Sequence, residues 1–134
     1  MENSLYVSLA RRASDLVDQG QYPAAIEIFE QFVGSDLPDF DKGISWVNIA
    51  TVQEKMGNRE AALASYEQAV ECERKTTSYF IAQQHASYLS QLGRFQESLA
   101  IYQALLDRPE VSREDGDIFF ANIMTLQDLL AKEQ

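Results

Sequence analysis

Few side chains in this sequence could perform acid–base or nucleophilic chemistry. The chain has one histidine, His85, and one cysteine, Cys72, and no motif pairs them. His85 falls in an apolar column of a predicted helix, where a hydrogen-bonded core imidazole is far more common than a general base. No glycine-rich phosphate loop, zinc-ligand spacing or nucleophile elbow is present. The sequence therefore predicts a protein that is not an enzyme and that binds no metal or cofactor.

The stretch DRPEVSREDGD, residues 107–117, is the most acidic candidate for a cation site. It contains Gly116, but a calcium loop needs oxygen ligands at regular spacing and a closing glutamate, and the stretch has neither. We therefore predict a solvated loop over these residues.

Length and composition indicate an ordinary globular chain. The 134 residues are 46% hydrophobic, enough to bury a core in one domain without disulfide staples. A net charge of -10 argues against nucleic acid or an anionic membrane surface as partner, because both repel an acidic body. The single cysteine fits a reducing compartment, and neither a signal peptide nor a membrane-spanning run is visible. We expect a cytoplasmic protein.

One pattern occurs three times along the chain. Taking Gly20, Gly57 and Gly93 as anchors, the copies are separated by 37 and 36 residues. A small residue stands five positions after each glycine, an aromatic residue nine after and an alanine seven before. These columns are Ala25, Ala62 and Ser98, then Phe29, Tyr66 and Tyr102, then Ala13, Ala50 and Ala86. Apolar residues spaced three and four apart on both sides of each glycine predict two amphipathic helices per copy. A glycine in the left-handed conformation would end the first helix of each pair.

This pattern resembles the tetratricopeptide repeat, a helix–turn–helix unit of about 34 residues. The second copy carries the resemblance best, through Trp46, Ile49, Ala50, Gly57, Ala62, Tyr66 and Ala69. The resemblance implies an all-α fold, a right-handed superhelix of three antiparallel helix pairs within a single domain, residues 1–134. The repeats are expected at about residues 5–38, 43–75 and 79–110, with a capping helix at about 114–132. Arg12, Gln53 and His85 depart from the family pattern, which usually has aliphatic or aromatic residues there.

The C-terminal segment DIFFANIMTLQDLLAKEQ predicts a seventh helix that does not complete a fourth repeat. Phe119, Ile123, Leu126 and Leu130 form its apolar stripe, and Ile118, Phe120, Met124 and Leu129 widen it. A repeat array needs a cap over its last apolar face, which explains the stripe. Because the helix is apolar over so much of its circumference, part of it could also cover a second chain. The possible oligomer interface comprises Phe119, Phe120, Ile123 and Met124.

The resemblance also implies a binding surface, because the first helices of such repeats line a concave groove that holds a peptide or a partner helix. The columns that remain after the packing positions are removed give the candidate groove residues. They are Val7, Arg11, Ser14, Ile44, Val47, Asn48, Thr51, Phe80, Gln83, Gln84 and Ser87. The branch of the family that clamps a terminal carboxylate uses cations here, and of its residues only Asn48 has a match. A neutral, partly apolar peptide fits better, unless the row of Val7, Ile44 and Phe80 packs internally.

These observations favour a non-enzymatic protein-interaction module, an adaptor or scaffold that binds a peptide or helix of a partner protein. Two alternatives remain. One is a self-associating assembly subunit, possibly a homodimer, that uses the C-terminal helix. The other is a secretion-type chaperone, because acidic three-repeat proteins of about this size hold secreted subunits in bacteria.

Overall fold

Seven α-helices form the computed structural model, which describes residues 1–133. They are α1 (Asn3–Asp18), α2 (Tyr22–Val33), α3 (Asp39–Lys55), α4 (Arg59–Glu73), α5 (Phe80–Gln91), α6 (Phe95–Leu106) and α7 (Arg113–Lys132). No strand occurs within this described range. The predicted all-α class, three helix pairs followed by a seventh helix, is confirmed. None of these helices is both long and apolar enough to cross a lipid bilayer.

The three anchor glycines end the first helix of each pair as predicted. Gly20, Gly57 and Gly93 have φ values of 75°, 78° and 78°. Each glycine N–H donates to the carbonyl three residues back, and the next N–H donates to the carbonyl five residues back. This is the Schellman arrangement, which satisfies the last carbonyls of a helix. A Cβ added at any of the three would meet no atom within 4 Å, so glycine is required for its backbone conformation and not for space.

The predicted loop over residues 107–117 is shorter than expected, because α7 already begins at Arg113. The Ser112 hydroxyl accepts a hydrogen bond from the Asp115 N–H at 3.1 Å and so caps the helix. Glu114 and Asp115 lie in the first turn, where carboxylates interact favourably with the positive end of the helix dipole. Glu114 and Asp115 therefore stabilise the start of α7 and do not belong to a loop.

The chain divides into two compact units, and unit 1 comprises Met1–Thr76. In unit 1, α1 packs on α2, α2 on α3 and α3 on α4. The predicted small-residue columns are fully buried: Ala13, Ala25, Ala50 and Ala62 have no exposed surface. The alanines let the helices pack closely, and larger apolar side chains surround these contacts. The main cluster contains Ala13, Ala25, Ile28, Phe29, Phe32, Ile49 and Val52.

Unit 2 begins at Thr77 and contains α5, α6 and α7, with α6 packed on both of the others. Its core cluster contains Ala86, Leu99, Tyr102, Leu105, Phe119, Ile123 and Leu126. Ser98 replaces the alanine of the other copies, and its buried hydroxyl donates to the Ala86 carbonyl at 2.7 Å. The hydroxyl therefore fits in the small-residue column without an unpaired polar atom.

The three departures from the repeat pattern have different outcomes. Arg12 is exposed, so the aliphatic contact expected at its position is absent. His85 is half-buried rather than enclosed in the core. Gln53 accepts a hydrogen bond from the Ser65 hydroxyl at 2.6 Å. A polar pair therefore replaces an apolar contact in the second repeat.

Candidate peptide-binding site

A cavity of about 290 Å³ opens between α1, α2 and α3 in unit 1. Residues of α1 and α3 form its walls and two phenylalanines of α2 form its base. The lining residues are Tyr6, Ala10, Ser14, Val17, Phe29, Phe32, Ser45, Asn48, Thr51 and Val52. An apolar cavity of about 150 Å³ is enough to bind benzene, so this cavity has room for a large side chain.

The base and one wall of the cavity are apolar. Phe29 and Phe32 are nearly fully buried, with ring centroids 6.3 Å apart and the rings edge to face. Tyr6 stacks at a tilt on Phe32 with a centroid distance of 4.8 Å. Burial and, to a smaller extent, the Asp41 carboxylate raise the pKa of the Tyr6 hydroxyl above its ordinary value. Tyr6 therefore remains a neutral wall of the cavity at physiological pH.

The polar lining residues differ in what they can offer a ligand. The hydroxyls of Ser45 and Thr51 donate within α3, to the carbonyls of Asp41 and Val47, each at 3.0 Å. The half-buried Asn48 side chain makes no hydrogen bond with the rest of residues 1–133. An amide supplies both donors and an acceptor, which matches the groups of a peptide bond. Asn48 is therefore the cavity residue best placed to hold a peptide backbone.

The structure places the sequence-predicted groove residues in different settings. Ser14, Asn48 and Thr51 line the cavity, whereas Val7 and Arg11 are exposed on α1 outside it. Other members are half-buried on α3 (Ile44 and Val47) or lie in unit 2 on α5 (Phe80, Gln83, Gln84 and Ser87). On α5, the Phe80 side chain is 48% exposed and the other three are half-buried.

Sequence reasoning missed most of the cavity's apolar lining. Phe29 and Phe32 belong to α2, a second helix, and of these two the repeat pattern marks only Phe29, as a packing residue; the pattern does not mark Ser45. The predicted groove positions all lie on first helices. The signal for Ser45 was present in the repeat alignment, where a small polar residue occupies a column that is apolar in the third copy, at Ile81.

A second missed feature is that α7 repeats the sequence of α3 at a constant spacing of 74 residues. Identical pairs along the two helices are Asp41 and Asp115, Ile44 and Ile118, Asn48 and Asn122, Ile49 and Ile123, Thr51 and Thr125, and Gln53 and Gln127. The seventh helix therefore corresponds to the first helix of a further repeat. Its length and apolar stripe alone indicate a cap, part of which could also cover a second chain.

The predicted interface residues on α7 separate into two pairs. Phe119 is 0% exposed and Ile123 is buried beside it in the core of unit 2. These two side chains act as the cap over α5 and α6, so they are not available to a second chain. Phe120 and Met124 are 58% and 53% exposed. The surface open to a partner on α7 is thus reduced to Phe120 and Met124, with Ile118 exposed on another side.

The cysteine of the chain, Cys72, lies on α4. Burial is the main cause that raises the pKa of the half-buried Cys72 thiol, so less of it is thiolate at neutral pH. Among residues 1–133, no group of three or more His, Cys, Asp or Glu side chains is arranged to hold a metal ion.

Similarity to known proteins agrees with this architecture. Residues 44–76 match the family model for the tetratricopeptide repeat. The first tetratricopeptide-repeat domain of Spaghetti (RPAP3), solved bound to the HSP90 peptide SRMEEVD, superposes with a TM-score of 0.64 at 17% identity. That match covers 98% of this chain and 99% of the other. SycD, the type III secretion translocator chaperone of Yersinia enterocolitica, superposes with a TM-score of 0.61 at 17% identity. The SycD match covers 100% of this chain and 90% of the SycD chain. No curated protein sequence matches.

Proposed function

We propose that this chain, whose residues 44–76 form a tetratricopeptide repeat and whose fold is that of tetratricopeptide-repeat domains, is a protein-interaction module without catalytic activity. It binds a peptide or helix of a partner protein on the faces of its first helices in unit 1, α1 and α3. The single cysteine fits a cytoplasmic location for this adaptor role.

The cavity between α1, α2 and α3 carries this proposal. It combines an apolar base, Phe29 and Phe32, with an amide, Asn48, that no neighbouring side chain engages. Ligand pockets have this composition, a mostly apolar wall with a few polar groups that fix orientation. Because the helices that form it are packed through buried alanines, the site is preformed and binding orders little of the protein.

The charge around the cavity favours a neutral or basic ligand. None of its lining residues is ionised at neutral pH, and the chain carries a net charge of -10. A carboxylate-rich peptide would need cations that make charge-assisted hydrogen bonds, and the lining supplies none. The peptide in the RPAP3 complex is acidic, so we propose a different ligand class for this chain.

A displayed library of random peptides tests the proposal. Peptides selected on the immobilised protein should bind Asn48→Ala at least about tenfold more weakly, since a bound peptide group loses its amide partner. Gln68→Ala, an exposed amide on α4, serves as the matched control and should bind normally. Equal affinity of the selected peptides for Asn48→Ala and the native protein would place the ligand elsewhere. A library that yields no saturable binder would contradict the function itself.

A second variant asks whether the ligand also contacts α5. Phe80→Glu should abolish binding if the ligand reaches the first helix of the third repeat, because a carboxylate would replace an exposed apolar side chain. Phe120→Glu changes another exposed phenylalanine, on α7, and is the matched control. If both variants bind normally, the ligand is confined to unit 1.

The exposed apolar side chains of α7 favour a second candidate, a self-associating assembly subunit. Phe120 and Met124 lie one helical turn apart and are both more than half exposed. Two such residues on adjacent turns are a common core of a helix-mediated contact. Light scattering of the native protein and of the Phe120→Ser/Met124→Ser variant separates the candidates: a dimer that the variant abolishes supports assembly, and a monomer at high concentration rejects it. The likeness to SycD keeps a secretion-type chaperone as a third candidate, and a selected peptide that matches no secreted subunit would count against it.

A further inference from the structure

One side of each first helix in the repeats faces the second helix of the same repeat. The helices α1, α3 and α5 pack on α2, α4 and α6 respectively. In the third repeat the Ser98 hydroxyl of α6 donates to the Ala86 carbonyl of α5 at 2.7 Å. In the second repeat the Ser65 hydroxyl of α4 donates to Gln53 of α3 at 2.6 Å. The repeat columns that contain Ala86 and Gln53 therefore face the second helix.

The same columns are exposed on α7. In the three repeats, the column seven residues before the turn glycine has no exposed surface, at Ala13, Ala50 and Ala86. The column four residues earlier is half-buried, at Leu9, Trp46 and Ala82. By the spacing of 74 residues between α3 and α7, these columns contain Met124 and Phe120, which are 53% and 58% exposed. Gln127, in the column of Gln53, is exposed as well. No helix within residues 1–133 therefore covers this face of α7.

The uncovered face continues onto the end of α6. Leu106 is 39% exposed, and a Cβ added at Gly116 would lie 4.0 Å from its side chain. Because Gly116 lies one turn before Phe120, the side chains of Leu106, Phe120 and Met124 form one exposed apolar surface, which we call the α7 strip. The equivalents of Leu106 in the first two repeats are half-buried, at Val33 and Val70. From Gly116 to Met124 the strip extends about 12 Å along α7, a little over two helical turns.

Carboxylates stand at both ends of the α7 strip. Asp117 lies one turn before the exposed pair on α7 and Asp128 one turn after it, and both are exposed. Lys132 already pairs with Asp128 in its own helix, Nζ to Oδ2 at 3.1 Å, and Arg113 lies a turn beyond Asp117. The whole chain carries a net charge of -10. An apolar surface with acidic ends is complementary to a partner surface that is apolar in the middle and basic at its edges.

A second copy of α7 fits the strip less well than a basic helix does. If two α7 helices run antiparallel with Phe120 opposite Met124, Asp117 of one helix comes beside Asp128 of the other. If they run parallel, each aspartate meets its own copy. Like charges placed together in an interface are unfavourable, so neither arrangement uses the acidic ends of the strip.

We propose that the α7 strip is a docking site for a basic amphipathic helix of a partner protein, which takes on α7 the place that α4 has on α3. The apolar side of that helix packs on Phe120 and on Met124, whose flexible thioether adapts to the surface it meets. Its lysines or arginines make charge-assisted hydrogen bonds with Asp117 and Asp128. The site lies in unit 2 and the cavity in unit 1, so this inference goes beyond the proposed function and does not depend on it.

Methyl NMR of the methionines tests the docking with designed peptides. The probe is an amphipathic peptide of leucine, alanine and lysine, about 18 residues long so that it can run along most of α7. We expect the Met124 methyl signal to shift saturably with this peptide. Met56, which is 47% exposed in unit 1, is the internal reference and should not shift. The same peptide with glutamate in place of every lysine should bind at least about tenfold more weakly, since like charges then meet.

Two double variants remove the two parts of the site. Phe120→Ser/Met124→Ser removes the apolar side chains and should weaken the lysine peptide by about tenfold or more, measured by fluorescence anisotropy of the labelled peptide. Asp117→Asn/Asp128→Asn removes the carboxylates and should weaken it by about threefold or more at low ionic strength. All four side chains are exposed, so both variants should fold, and circular dichroism checks this.

Each double variant has a matched control. Ile118→Ser changes an apolar side chain that is 50% exposed on another side of α7. Glu60→Gln/Glu67→Gln removes two exposed carboxylates of α4. Both controls should bind the lysine peptide as the native protein does. Asn48→Ala, in the cavity of unit 1, should also leave this affinity unchanged.

Several results would overturn the inference. A Met124 signal that does not respond to the lysine peptide, or that responds equally to the glutamate peptide, contradicts the proposed partner chemistry. Equal losses of affinity in a double variant and its control show binding by general charge or greasiness and not at the strip. If light scattering shows a dimer that Phe120→Ser/Met124→Ser converts to a monomer, a second copy covers the strip and the partner helix is wrong.

Discussion

The Ser65 hydroxyl of α4 donates a hydrogen bond to Oε1 of Gln53 on α3 at 2.6 Å. In the first repeat the same two positions are Leu16 and Ile28, and in the third repeat they are Leu89 and Ile101. Both members of an apolar pair have thus been replaced together by a polar pair. Such a joint exchange is stable because each polar group satisfies the other, whereas a single exchange would leave one of them buried without a partner.

The first prediction concerns the coupling of this pair. Ser65→Ala should lower the free energy of unfolding by about 1 kcal/mol, because the Gln53 amide loses its part-buried partner. The double variant Gln53→Leu/Ser65→Ile restores the pair of the other repeats and should be at least as stable as the native protein. Urea denaturation of Gln53→Leu, Ser65→Ile and the double variant gives the interaction energy between the two positions. Simple additivity of the two changes would mean that the hydrogen bond contributes nothing.

The second prediction concerns the turn glycines. Gly57→Ala should destabilise the protein by about 1 kcal/mol, since an L side chain strains a backbone with φ of 78° even where space is open. Gly116→Ala is the matched control, because Gly116 lies inside α7 and its added Cβ would meet Leu106 and Val111 at an ordinary 4.0 Å. There the same substitution should stabilise by about 0.5–1 kcal/mol. Thermal unfolding should show opposite shifts, and shifts of the same sign would contradict the conformational explanation.

The third prediction follows from the buried tyrosines. Burial is the largest cause of the raised pKa of Tyr66, with a smaller contribution from the Glu54 carboxylate. A folded-state pKa above the unfolded value of 10.0 means that, at alkaline pH, the unfolded chain loses this proton first. The contribution of the protonated Tyr66 hydroxyl to the free energy of unfolding is complete below about pH 10. It is lost as the pH rises through the folded-state pKa. Urea denaturation across this range should show a smaller alkaline loss of stability in Tyr66→Phe, and an unchanged slope would remove Tyr66 as a source of it.

The repeat architecture could be predicted from the sequence because its determinants are local. A glycine that must adopt a positive φ and alanines at a fixed distance from it mark the same turn and the same helix crossing in every copy. Ser45 could not be interpreted in this way. A small polar residue on a helix is compatible with solvent or with packing, and only the structure shows that Ser45 is 2% exposed. The likeness of α7 to α3 was visible in the sequence, but it became informative once Phe119 was known to be enclosed.

The fourth prediction uses two adjacent phenylalanines of α7 that have opposite environments. Phe119 is 0% exposed between the Tyr79 and Tyr102 rings, and Phe120 is 58% exposed. Phe119→Ala should destabilise by about 3–5 kcal/mol, because it removes buried apolar surface and leaves a cavity. Phe120→Ala should change the free energy of unfolding by less than about 0.5 kcal/mol in the monomer.

Protein concentration then makes Phe120→Ala informative about assembly. If α7 forms a contact between two copies, association stabilises the folded state and the cost of Phe120→Ala should grow with concentration. If the protein is monomeric, the cost should stay the same at every concentration. Urea denaturation at two protein concentrations about a hundredfold apart measures the destabilisation caused by Phe120→Ala at each. Phe119→Ala is the reference, because its destabilisation comes from contacts within one chain. A concentration dependence of Phe119→Ala as large as that of Phe120→Ala would show that the two faces of α7 are not independent, contrary to the burial of Phe119 within unit 2.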